Sequence, residues 1–315
     1  MTSASTRTSH FSRNSALETL LQDINNRLGV AEQQAMTEHF GQGMRHPLIF
    51  VMGPLRSGTT LFMQWLAQSG LFGYPSNLLS RFYGAPIIGA KIQLLLTDPR
   101  FNFRDELNDL VNNGDFNSNN GKTKGSLSPH EFWYFWRRFL ADPERDIWSD
   151  DELRDTFDTV ALQSEINGLI DVFDQPFAAK GMLFNYNIPF LDSIFEKALF
   201  IQLKRDTASN AASILEARQR QFGNTETWYS FDIPERALLE SASPEQQAIG
   251  QVEYINAAIE RGMAKLSPER KMHVSYEDFC RHPQPYFAEL LMKTGLPAKE
   301  YRGPTQFEIS RKLPR

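Results

Sequence analysis

Residues 47–69 read PLIFVMGPLRSGTTLFMQWLAQS, and few folds accommodate such a run. Residues 47–52 are apolar and rich in β-formers, which predicts a buried strand. Gly53 and Pro54 break it. Ser57 to Thr60 then open a helix, with Leu61, Phe62, Trp65 and Leu66 as its apolar face. A strand that passes through a two-glycine loop into a helix N-terminus makes an anion cradle. Backbone N–H groups point into the loop, and the helix dipole adds partial positive charge. Thr59 and Thr60 add hydroxyls.

Gly53 and Gly58 keep the spacing of a nucleotide-triphosphate P-loop, but Thr59 stands where that motif has its lysine. The cation comes earlier, at Arg56. A kinase needs the missing lysine on the terminal phosphates, so a P-loop nucleotide kinase is the lesser alternative, beside a non-catalytic nucleotide-binding protein. An early cation followed by Ser-Gly-Thr-Thr suits a ligand with a phosphosulfate end. A second motif lies in residues 198–213, ALFIQLKRDTASNAAS, where a strand ends at Arg205 and the following helix carries Ser213, eight residues on.

The stretch PLRSGTTL resembles the 5′-phosphosulfate loop of sulfotransferases that use 3′-phosphoadenosine-5′-phosphosulfate (PAPS), in a form found mostly in bacterial members. The Arg205–Ser213 pair resembles the family's grip on the 3′-phosphate. The resemblance runs from about residue 47 to 295. It implies that Arg56, Ser57, Gly58, Thr59 and Thr60 hold the phosphosulfate, that Arg205 and Ser213 hold the 3′-phosphate, and that no metal is needed. The implied reaction is sulfuryl transfer to a hydroxyl or amine of a small-molecule or carbohydrate acceptor. The C-terminal residues EISRKLPR lack the Arg-Lys-Gly…Trp segment with which animal cytosolic members complete the 3′-phosphate site.

Strands expected at 47–52, 177–181, 199–204 and 271–276 alternate with helices. This is an α/β pattern: a central parallel sheet flanked by helices, as in the P-loop-like sulfotransferase fold, with ligands at the strand C-termini. Residues 47–315 read as one domain behind a polar tail and helix in 1–46. Residues 1–15 read as disordered. Leu17, Leu20, Leu21, Ile24 and Leu28 predict a helix over 15–40 that docks on the core or on a second subunit, as in a homodimer. The composition is 41% hydrophobic, enough for a sizeable core, and the net charge of −5 argues against nucleic acid as a partner. Cys280 is the only cysteine, and no run approaches the ~20 apolar residues of a membrane span. A cytoplasmic enzyme is the simplest reading.

Residues 128–140, SPHEFWYFWRRFL, predict a helix capped by Ser128 and opened by Pro129, with Phe132, Phe135, Trp136 and Phe139 on one face. His130 and Glu131 would sit in its first turn. Related sulfotransferases use Glu or His as base before a Phe-rich run. The resemblance favours Glu131, with His130 second. Elsewhere, Asn77 reads as a helix cap, and residues 112–128 as a mobile loop carrying Lys122 and Lys124. Residues 142–158 read as a connector merging into a helix over 161–172. Lys180 ends a strand, either as a structural residue or beside the site. Trp228 to Phe231 read as packing more than as cleft lining, and His273 as a packed or satisfied histidine rather than a catalytic one.

Overall fold

The run after Pro47 forms β1, Leu48–Met52, in a computed structural model that describes residues 7–8, 14–104, 106–107, 118–119 and 122–309. All five strand residues are buried. Strand geometry sends alternate side chains to opposite faces. Leu48, Phe50 and Met52 therefore join one apolar cluster, with Phe132, Trp136, Leu162, Ile166 and Ile255, while Ile49 and Val51 join a second, with Phe62, Trp65, Ile201, Phe279 and Leu290. A strand buried on both faces is the centre of a three-layer α/β unit.

The other strands are β2 (Phe177–Lys180), β3 (Ala198–Lys204) and β4 (Lys271–Ser275). The order is β2-β1-β3-β4, and every pairing is parallel. Val51 lies opposite Lys180, Met52 opposite Gln202, and Lys204 opposite Ser275. All four strands thus end on one rim. The chain's direction of travel across the sheet reverses beside β1, and such switch points open a ligand crevice past the strand C-termini. The expected parallel sheet is present, with strand ends within one residue of expectation.

Helix α1 (Ser15–Thr37) begins at Asn14, whose side chain accepts the Leu17 N–H. It docks on its own chain, through buried Asn25, Glu32, Ala35 and Met36. Helix α2 (Thr59–Gln68) follows the glycine loop, and α3 (Pro86–Thr97) follows a 3-10 turn at Leu79–Phe82. The stretch before α4 (Thr159–Phe173) is not continuous with it: a separate turn of helix, Asp150–Thr156, ends where Phe157 is drawn into the core, and Asp158 caps α4 anew. Helix α5 (Thr207–Phe222) follows β3, and α6 (Pro244–Ala264) packs along it.

Two further expectations need correction. Residues 128–131 are not helical. The helix there is a short one, Trp133–Arg137, entered through Phe132 at φ 59°. The His130 N–H donates to the Pro75 carbonyl at 2.7 Å, and Ser76 bridges Pro129 in strand-like fashion. These hydrogen bonds to a segment some fifty residues earlier in the chain outweigh the local helix signal. Asn77 is no cap: its amide donates to the carbonyls of Thr123 and Gly125, while Ser76 Oγ accepts the Leu79 N–H. The loop expected over 112–128 lies partly outside the described residues. Its described end is tied down by Asn77 and by a short pairing of Ser118–Asn119 with Lys122–Thr123. The disorder expected for residues 1–15 falls mostly outside the described residues, but Thr8 is anchored, donating its N–H to the Gln221 carbonyl at 2.9 Å. Among the described residues, no helix is long and apolar enough to cross a membrane.

Candidate active site

The glycine loop turns at three residues. Arg56 takes φ 64° and Gly58 takes φ 101°, both left-handed. Gly58 has a second constraint: a Cβ there would lie 2.3 Å from the Tyr276 ring. Gly53 admits no side chain, because its Cβ would meet the Leu203 carbonyl at 2.8 Å. Asn185, buried beyond β2, clamps the Gly53 peptide on both sides, accepting its N–H at 3.2 Å and donating to its carbonyl at 3.0 Å. Asn210 of α5 donates to the Leu55 carbonyl at 2.7 Å. The loop is thus braced from two elements, and the N-terminal N–H groups of α2, which have no intrahelical acceptor, open onto the rim. Ser57 Oγ is buried there with no hydrogen-bond partner among the described residues. Such a polar atom is costly unless a ligand satisfies it.

Two arginines meet at this loop. Arg205, at the end of β3, donates from Nη1 to the Arg56 carbonyl at 3.0 Å and lies 4.9 Å over the Tyr276 ring. Arg56 donates from Nε to Ser213 Oγ at 3.2 Å. Arg56, Arg205 and Ser213 therefore form one cluster on the β3 side of the cradle. Burial, joined by the like charge of Arg205, pulls the Arg56 pKa below its ordinary value, with Tyr229 opposing. Two such cations held close together favour an anion between them.

A second cluster lies on the β2 side. Lys180 closes β2 with its side chain 3% exposed, and its ammonium donates to Thr60 Oγ1 at 2.9 Å and to Glu131 Oε1 at 3.0 Å. Trp133 Nε1 donates to Glu131 Oε2 at 2.5 Å. The Glu131 side chain keeps 31% exposure, so it opens onto the rim. Burial pushes its carboxyl up, but the Lys180 cation, the Trp133 N–H and His130 together hold it below the usual carboxylate range. His130 faces another way: its Nδ1 accepts the Phe132 N–H at 2.9 Å. Burial, aided by Lys180 and Arg81, pushes it down to about 4.

The structure thus gathers Arg56, Ser57, Gly58, Thr59 and Thr60 with Arg205 and Ser213 on one side, and brings Glu131 to Thr60 through Lys180 on the other. Asn185 and Tyr229 were missed. Asn185 carries no local signal beyond a polar residue in an apolar stretch. Tyr229, in the aromatic loop read mainly as packing, lies near enough to Arg56 and Glu131 for both to perturb its hydroxyl. Its neighbours in that loop do pack: Trp228 faces Arg218 and Arg236, and Phe231 touches the Trp133 ring.

Comparison with known proteins bears on this arrangement. No curated protein matches the sequence. Among solved structures, sulfotransferase STF9 from Mycobacterium avium is similar over 94% of this chain and 75% of its own, with TM-score 0.59 and 18% identity. Sulfotransferase STF1 from Mycobacterium tuberculosis H37Rv is similar over 87% and 73%, with TM-score 0.53 and 15% identity. At those identities the likeness is one of fold. A profile of the sulfotransferase family matches residues 47–300, cradle, Glu131 and Arg205 cluster included, and the chain therefore belongs to the sulfotransferase family.

Proposed function

We propose that the enzyme moves a sulfuryl group from PAPS to a hydroxyl or amine of a small-molecule or carbohydrate acceptor, with Glu131 as base. The observation that carries this reading is the bridge from Thr60 through Lys180 to Glu131. It sets a proton acceptor two hydrogen bonds from the cradle that would hold the sulfuryl end. The cradle suits a phosphosulfate: the α2 N-terminus, Ser57 Oγ and the Thr60 hydroxyl offer donors without the P-loop lysine, while the Thr59 hydroxyl is turned to Met182 Sδ and leaves that residue its backbone N–H. Arg205 and Ser213, with Arg56 beside them, suit the 3′-phosphate.

The chemistry follows from these placements. Glu131 takes the acceptor's proton as the acceptor oxygen or nitrogen bonds to sulfur. The sulfur–oxygen bond to the 5′-phosphate breaks, and its electron pair stays on the phosphate. Arg56 and the cradle N–H groups stabilise the charge that builds there. His130 suits the role less well. With Nδ1 accepting a backbone N–H, the neutral ring carries its proton on Nε2 and presents a donor.

Thermal shift tests the donor reading. 3′-Phosphoadenosine 5′-phosphate (PAP) without magnesium should raise the melting temperature, by about 2.7 kcal/mol of linkage at a concentration 100 times Kd. AMP, lacking the 3′-phosphate, should do so far less, and Arg205→Ala should erase the difference. Stabilisation only by ATP with magnesium would overturn the reading in favour of a kinase. Turnover of sulfur-labelled PAPS on an acceptor panel, lost in Glu131→Gln with PAP binding intact, completes the assignment.

A further inference from the structure

An ammonium has three N–H groups and no preferred plane. Lys180 spends two of them on unlike partners, the neutral hydroxyl of Thr60 and the anionic Oε1 of Glu131. Thr60 belongs to the first turn of the cradle helix, so a sulfonate seated on that turn arrives beside the same ammonium. Two anions that share one cation each hold it less well than one anion alone. Glu131 does not lose its place when Lys180 turns away, because Trp133 Nε1 holds Oε2 from the other side.

We propose that Lys180 couples the donor to the base: the sulfonate draws the Lys180 ammonium off Glu131, and the carboxylate becomes a strong proton acceptor only once the sulfuryl group is in place. This rests on the donor reading above. Lys180 is here a positioning residue for Glu131. The other titratable or charged groups around Glu131 are the neutral His130 beside it, the Arg56 cation from the cradle loop and the neutral Tyr229 from the aromatic loop, while Arg81 faces His130. Burial is already the largest single influence on Glu131, and with Lys180 turned toward the sulfonate it loses its main opponent, so the proton affinity of the carboxylate rises. The base is thereby kept weak while the cradle holds no sulfonate. The device favours binding of the donor before the acceptor.

Proton linkage reads this out without turnover. PAPS and PAP binding are measured by calorimetry at about pH 5, with no acceptor, in buffers of different ionisation enthalpy, on the wild type, Glu131→Gln and Lys180→Met. The wild type should take up roughly half a proton more than Glu131→Gln on binding PAPS. PAP, which lacks the sulfonate, should show no such difference. The Gln variant subtracts the titration of the ligand's own phosphates. Lys180→Met should lose the PAPS-specific uptake. Equal uptake in wild type and Glu131→Gln would overturn the coupling while leaving the donor reading intact. Binding of neither nucleotide would overturn the donor reading, and the coupling with it.

Discussion

His130 accepts the Phe132 N–H at Nδ1, and its burial beside Lys180 and Arg81 sets the pKa at about 4. The unfolded chain protonates this ring near pH 6.5. Between those values the unfolded state binds a proton that the native state refuses. Stability is therefore full above pH 6.5 and declines as pH falls toward 4. At pH 5 the loss amounts to about 2 kcal/mol. Urea unfolding of the wild type at pH 7.5 and pH 5, beside His130→Asn, measures it: the Asn variant should lose about 2 kcal/mol less than the wild type over that interval. Parallel losses in the two proteins would mean that the ring is protonated in the native state. Neighbouring residues in the sequence thus differ in kind, since Glu131 stays ionised and opens to the rim while His130 is a neutral brace.

Helix α1 shows what the sequence made legible and what it hid. Its leucine spacing predicted a helix, and a helix is there, yet Leu20 is 56% exposed and the most buried positions include Asn25 and Glu32. Both polar side chains are spent on backbone groups. Asn25 donates to the Arg81 carbonyl and accepts the Gly84 N–H, and Glu32 accepts the N–H groups of Ile87 at 2.7 Å and Ile88 at 3.0 Å, at the start of α3. No pattern within residues 15–37 announces partners some fifty-five positions away. The same holds for the stretch before Trp133, where hydrogen bonds to residues 75–77 overrode a plausible cap at Ser128. The cradle and the four strands were legible because their signals are local: apolar runs, paired glycines and hydroxyls at fixed offsets. Lys180 could be placed at the rim, but its partners could not. Glu32→Ala leaves two donors of the α3 N-terminus buried and should cost about 2–3 kcal/mol in urea unfolding, with Glu32→Gln losing less. A loss under ~0.5 kcal/mol for the Ala variant, within the range of an ordinary surface change, would show that water replaces the carboxylate.

The sheet divides the protein into two apolar layers, and the cradle helix α2 belongs to the layer that the C-terminal residues complete. Trp65 of α2 donates from Nε1 to the Tyr301 hydroxyl at 3.0 Å. Tyr301 packs on Phe287, and Phe307 stacks on Phe279 at 5.3 Å while its N–H donates to the Cys280 carbonyl at 2.7 Å. Residues 301–309 thus lie beyond the family match and still close over Trp65 of α2 and over Phe279 and Phe287. Trp65 also packs on Phe279 and Phe287, so the cover reaches the cradle through one continuous set of rings. Tyr301 and Phe307 are each half-buried, and removing both should cost about 2–3 kcal/mol, half of what full burial of two such side chains gives. The double variant Tyr301→Ala, Phe307→Ala should unfold at lower urea and should also bind PAP more weakly. A looser α2 holds its N-terminal N–H groups less well on the ligand, and preorganisation of donors contributes to affinity. Trp65→Phe, which keeps the ring and removes the hydrogen bond to Tyr301, should give a smaller loss of the same two quantities. If the double variant lost stability and kept full PAP affinity, the C-terminal cover would be packing alone and the cradle would be held entirely by Asn185, Asn210 and Tyr276.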